Sequence, residues 1–81
     1  MRKSDDILQE FGNRVRELRR QSGFSQEEFA MRCHLDRTYI SSLERGHRNV
    51  SLKNIAAIAA ALNVSLTELF EGITLCDAEQ R

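Results

Sequence analysis

An all-α fold, a compact bundle of five short helices, is what this sequence predicts, on three observations. Apolar residues recur at steps of three and four along most of the chain. Residues that cap helices stand at nearly every boundary this spacing implies. No proline interrupts any of the segments. Local signals and apolar pattern point the same way, which is the mark of a sequence that specifies one structure.

The first helix spans residues 5–22, where Ile7, Phe11, Val15 and Leu18 form one apolar face. Ser4 or Asp5 can cap it, and Gly23 can end it in a left-handed conformation. Ser25-Gln26-Glu27-Glu28 is a capping box in which the Ser25 hydroxyl accepts from the Glu28 amide and the Glu28 carboxylate reaches back. It opens a second helix with Phe29, Ala30 and Cys33 inward. Asp36 is placed to cap a third helix running to about Arg45, with Ile40 and Leu43 inward and Gly46 at its end.

Ser51 caps the fourth helix, with Leu52, Ile55, Ile58, Ala59 and Leu62 as apolar positions and alanines filling most of the rest. A helix apolar around so much of its circumference predicts a buried central element. Asn63 tolerates the left-handed ending. Ser65-Leu66-Thr67-Glu68 opens a fifth short helix with Leu66, Leu69 and Phe70 inward.

With 81 residues, of which 41% are hydrophobic and 30% charged, the chain is predicted to be one soluble domain, 1–81, with its core in 5–72 and a short C-terminal tail in 73–81. A core this small makes oligomerisation a natural supplement. No apolar run reaches the length of a membrane span, and the first residues do not read as a signal peptide. Cys33 and Cys76 form no CxxC, and no Cys/His set has zinc spacing, so the expected setting is a reducing cytoplasm, with Cys33 a small buried hydrophobe. His34 and His47 have no ligand partners at metal spacing. There is no nucleophile elbow and no Gly-rich phosphate loop, so no catalytic residue, metal, cofactor or small-molecule ligand is predicted.

A net charge of zero argues against a general polyanion binder. Its distribution is uneven: residues 31–50 hold Arg32, Arg37, Arg45 and Arg48 against Asp36 and Glu44. A helix that reads DNA presents polar side chains from its first turn, is anchored by an apolar back, and follows a helix whose start faces the phosphate backbone. The second and third helices meet these conditions. Arg37 and Thr38 open the third helix with Ile40 and Leu43 behind them, and Ser42 lies toward the outer side. Arg suits a guanine edge, and Thr offers a hydroxyl and a methyl. Tyr39 fits two readings, half packed on the domain or touching DNA. Gln26 suits a phosphate, and Arg45, Arg48 and Asn49 can grip the backbone beyond the helix.

The run Ser-Gln-Glu-Glu-Phe-Ala, then Leu-Asp-Arg-Thr-Tyr-Ile-Ser-Ser-Leu-Glu-Arg-Gly, resembles the helix-turn-helix of the Cro/lambda-repressor-like (XRE) family across residues 11–71. Within that family, Leu35 to Ser41, Glu44-Arg-Gly and Arg48-Asn-Val-Ser-Leu are similar to restriction–modification controller proteins. Those are small homodimers that bind paired operators near their own promoter. The resemblance implies base contact by Arg37, Thr38, Tyr39 and Ser42, backbone contact by Gln26, Ser41, Arg45, Arg48 and Asn49, and an ion pair between Arg19 and Glu44. It also implies a departure at the corner between the helices, where His34 stands in place of the family's frequent Gly. His is enriched among left-handed residues, so an intact corner at small strain is expected.

One recognition helix contacts few base pairs. Two related by a twofold axis, about 34 Å apart, would read a pseudo-palindromic operator. The predicted dimer surface is the end of the fourth and fifth helices, comprising Leu62, Asn63, Val64, Leu66, Leu69, Phe70 and Ile73. The sequence therefore predicts a homodimeric, sequence-specific duplex-DNA-binding transcriptional regulator. A phage-type repressor and an antitoxin-like protein-interaction module are the competing readings.

Overall fold

The computed structural model describes residues 4–73. The side chains of Ser4 and Asp5, residues 74–81 and Cys76 lie outside that description, as does the choice of cap for the first helix. Five helices follow in order: α1 (Ser4–Gln21), α2 (Gln26–Cys33), α3 (Arg37–Glu44), α4 (Leu52–Leu62) and α5 (Leu66–Leu69). No strand occurs among the described residues.

The core grows from the apolar stripe of α1. Phe11, Val15 and Leu18 are buried against Phe29, Ala30 and Cys33 of α2, Ile40 and Leu43 of α3, Ile58, Ala59 and Leu62 of α4, and Leu69 of α5. A close backbone approach occurs at Gly12. A Cβ there would lie 2.4 Å from the Leu43 carbonyl oxygen and 2.9 Å from that of Glu44. Only glycine lets α1 cross the end of α3 backbone to backbone.

Serine caps are made at three helices. Ser25 Oγ accepts from the Glu28 amide at 3.0 Å, Ser51 Oγ from the Asn54 amide at 3.1 Å, and Ser65 Oγ from the Glu68 amide at 3.0 Å. Two capping expectations are corrected. The Glu28 carboxylate accepts from Arg32 at 3.3 Å rather than turning back to Ser25, because a partner of opposite charge stands one turn along. Asp36 has the extended backbone of an N-cap, but its side chain makes no capping hydrogen bond.

The corner between α2 and α3 is intact. His34 adopts φ 60° and ψ 40°, and the amides of His34 and Leu35 bond the carbonyls of Met31 and Ala30 at 3.1 and 2.9 Å. Asn63 turns left-handed in the same way after α4, at φ 59°.

The prediction for α4 is also corrected. Ile58, Ala59 and Leu62 are buried, but Leu52 is 75% exposed and Ala56 and Ala60 face solvent. The helix packs on α2 and α5, which cover one stripe of it. Leu69 of α5 is fully buried, whereas Leu66 of α5 and Phe70 just after it are 46% and 37% exposed, contrary to the inward placement expected for all three. Phe70 nevertheless stacks on Phe11, ring centroids 5.4 Å apart.

Candidate nucleic-acid interface

The outer face of α3 carries the predicted readers. Arg37 and Thr38 are exposed in its first turn, and among the described residues neither side chain is held by a hydrogen bond or ion pair. Together with Ser41 and Arg45 they line one shallow depression, as residues one and two helical turns apart should. Arg45 Nη1 donates to Ser41 Oγ at 2.7 Å, so those two predicted backbone contacts form a unit. Ser42 is half-buried beside them, and its carbonyl accepts from the His47 amide at 3.0 Å, which folds the following loop back against the helix.

Tyr39 is half-buried, and its ring lies under the guanidinium of Arg48, 5.0 Å from the centroid. The Tyr39 hydroxyl accepts from Asn54 Nδ2 at 3.1 Å. Both readings of this residue thus have a structural counterpart: one flank packs, and part stays open. Arg48 and Asn49 are exposed in the loop between α3 and α4.

Gln26, expected at a phosphate, also has a partner inside the domain. Its amide nitrogen donates to the Glu44 carboxylate at 3.1 Å, so one of its two amide protons is turned inward.

Glu44, at the end of α3, is completely buried. Its carboxylate accepts from Arg19 Nε at 2.7 Å and Nη2 at 3.1 Å, a bidentate grip. Arg19 in turn bonds the Phe24 carbonyl at 2.8 Å. Arg16 adds a second cation, with Nε 3.6 Å from the same carboxylate and Nη2 bonding the Glu44 carbonyl at 3.2 Å. A buried carboxylate is tolerated only with this degree of pairing. The result is a rigid footing for α3, with the neutral side chains Ile40 and Leu43 filling the rest of its back.

The predicted dimer surface divides. Leu62, at 6% exposure, and Leu69, fully buried, belong to the core of the domain. Val64 and Ile73 are partly buried against that core. Leu66, Phe70 and Asn63 remain at the surface. Sequence reasoning missed Arg14, whose Nη2 and Nε donate to the carbonyls of Glu68 and Leu69 at 2.7 and 3.3 Å and so bind α1 to the end of α5. It missed Arg16 as well, although Arg16 and Arg19 stand three apart on α1 and therefore share a face.

Two short helices joined by a tight left-handed corner, the second exposing its first turn and buried along its back, define a helix-turn-helix domain. The sequence matches the family described as Helix-turn-helix over residues 15–69. It is 50% identical over 70 residues to the control protein C.MunI of a Mycoplasma species, a match covering 85% of this chain and 95% of that one. It is 49% identical to the control protein C.BamHI of Bacillus amyloliquefaciens, over 88% of this chain and 89% of that one. Among solved structures, the restriction-modification controller protein C.AhdI of Aeromonas hydrophila superimposes with a TM-score of 0.81 at 48% identity, covering 85% of this chain and all of that one. The controller protein C.Esp1396I, solved as a tetramer on its natural 35 base-pair operator, gives a TM-score of 0.75 at 37% identity, covering 80% of this chain and 86% of that one. The chain belongs to the restriction–modification controller proteins, a helix-turn-helix family of DNA-binding transcriptional regulators.

Proposed function

We propose that this protein is a homodimeric, sequence-specific regulator that binds a pseudo-palindromic duplex operator and controls transcription of its own operon in a restriction–modification system. The observation that carries the reading is the first turn of α3. There Arg37 and Thr38 are exposed and unengaged on a helix whose back is buried through Ile40, Leu43 and Glu44. In this reading Arg37 and Thr38 read base edges, with Tyr39 and Ser42 beside them. Ser41, Arg45, Arg48, Asn49 and the outward amide proton of Gln26 hold the backbone. Leu66, Phe70, Asn63, Val64 and Ile73 form the twofold contact.

Two such heads one turn apart, about 34 Å, would match two major-groove segments on one face of the duplex. The operator-bound tetramer of C.Esp1396I supports an arrangement of two dimers side by side on a paired operator. The protein acts by binding rather than by catalysis, without a metal or cofactor, in the bacterial cytoplasm.

Selection of duplexes from a random-sequence pool, followed by sedimentation of the protein alone and on the winning duplex, tests the reading. A twofold-symmetric consensus bound by a dimer or by paired dimers is expected. Enrichment of no consensus, or a monomer on an asymmetric site, would overturn it.

A further inference from the structure

Asn54 belongs to none of the residue sets assigned above, yet its side chain reaches from the first turn of α4 to the first turn of α3. Its Nδ2 donates to the Tyr39 hydroxyl oxygen at 3.1 Å, while its backbone amide donates to Ser51 Oγ at 3.1 Å. The residue is therefore held at its backbone and at its tip. The Arg48 guanidinium lies over the Tyr39 ring, and the ring packs against the core.

A phenol oxygen has one proton to give and two lone pairs to receive. An amide NH2 and a guanidinium only donate. Asn54 thus occupies a lone pair of Tyr39, and neither group offers an acceptor for the phenol proton. We infer that Asn54 is a positioning residue for DNA recognition: it fixes the Tyr39 ring and commits the phenol to act as a hydrogen-bond donor toward an acceptor on the duplex. The inference rests on the proposed role of α3. Its substance is a polarity imposed from α4 on a side chain of the reading helix.

Replacing Asn54 with Asp reverses that polarity at nearly constant shape. A carboxylate only accepts, so it would capture the phenol proton and withdraw it from DNA. An acidic residue in the first turn of α4 suits the helix dipole, so the variant should keep its fold.

The test compares wild type, Asn54→Ala, Asn54→Asp, Tyr39→Phe and the two double variants on the duplex that the wild type selects from a random-sequence pool. Asn54→Ala and Tyr39→Phe should each weaken binding by about threefold to tenfold, the range set by one ordinary hydrogen bond. Their combination should be no weaker than Tyr39→Phe alone. Asn54→Asp should lose at least as much as Tyr39→Phe, and its effect should be larger with the phenol present than in the Tyr39→Phe background. A loss confined to the selected duplex places the acceptor on a base edge, and an equal loss on unrelated duplex places it on a phosphate; either supports the donor role.

Tyr39 is the chain's single tyrosine and there is no tryptophan, so its emission reports on this contact alone. It should be quenched in Asn54→Asp and not in Asn54→Ala. Losses that simply multiply in the double variants, or wild-type affinity in Asn54→Asp, would overturn the role of Asn54 while leaving the regulator reading intact. A wild-type protein that selects no duplex would overturn both.

Discussion

The guanidinium of Arg19 and the carboxylate of Glu44 meet through two hydrogen bonds, 2.7 and 3.1 Å long, and this pair ties α1 to the last residue of α3. Both side chains are out of water, with Arg19 at 8% exposure and Glu44 at zero. Truncating one partner strands the other. Glu44→Ala should lower unfolding stability by about 3–5 kcal/mol, because Arg19 keeps its charge without its counter-ion. Arg19→Ala should cost less, since Arg16 and Gln26 still face the carboxylate. Urea unfolding of the two variants checks the order, and equal losses would show that Arg16 and Gln26 contribute nothing.

Arg37 and Arg48 should separate specificity from general affinity. Arg37→Ala is expected to cost about 1–3 kcal/mol on the operator and to relax preference at one position in each half-site. Arg48→Ala should weaken operator and unrelated duplex alike and flatten the salt dependence, as the loss of a phosphate contact does. Titrations on matched and mismatched duplexes at several salt concentrations measure both. An unchanged sequence preference in Arg37→Ala would remove Arg37 from the readout.

Leu66 and Leu69 lie three residues apart on α5 but have opposite exposures, 46% and zero. Leu66→Glu should leave the subunit folded and shift sedimentation from dimer to monomer. Leu69→Glu should unfold the subunit, because it places a charge in the core. Circular dichroism together with sedimentation distinguishes the two. A Leu66→Glu protein that stays dimeric would move the twofold contact elsewhere.

Burial pushes the Cys33 thiol up from 9.0 to about 11. The folded chain therefore holds that proton more tightly than the unfolded chain does. The associated stability is fully present below about pH 9 and is lost as pH rises toward 11. Wild type should thus lose more stability between about pH 8 and about pH 10.5 than Cys33→Ala does, measured by denaturant unfolding. Thiol reagents should label Cys33 slowly in the native protein at about pH 8.

What was legible in the sequence was mostly local. Ser25, Ser51 and Ser65 announce their helices because a cap is a contact between residues three apart. The left-handed turn at Asn63 follows from the side chain that tolerates it. Helical spacing also showed that Leu66, Leu69 and Phe70 are apolar on a short helix, but spacing cannot say which neighbour covers each one. Leu69 meets the core, whereas Leu66 does not. Alanines in α4 read as burial for the same reason, since composition records how apolar a face is and not whether another helix lies on it.

The candidate site shows the same division. The exposed turn at Arg37 and Thr38 was readable from the corner and the apolar residues behind it. The contacts that brace it were not: Asn54 reaches Tyr39 across 15 positions, and Glu44 gathers Arg16, Arg19 and Gln26 from two other helices. Gly12 held a clue. A glycine inside a helix is unfavourable by about 1 kcal/mol against alanine, which points to a backbone passing close by.

Arg14 gives α1 a second grip. The helix holds α3 through Arg19 at one place and, through Arg14, the carbonyls that end α5 at another. In the proposed dimer those two places are the reading head and the root of the twofold contact. α1 would then couple the two, because Arg14 and Arg19 stand five positions apart on one helix, about 7.5 Å along its axis. Half-site spacing in the proposed dimer would then depend on α1 as well as on the twofold contact itself. A change in α1 should therefore alter that spacing without touching the residues assigned to base contact.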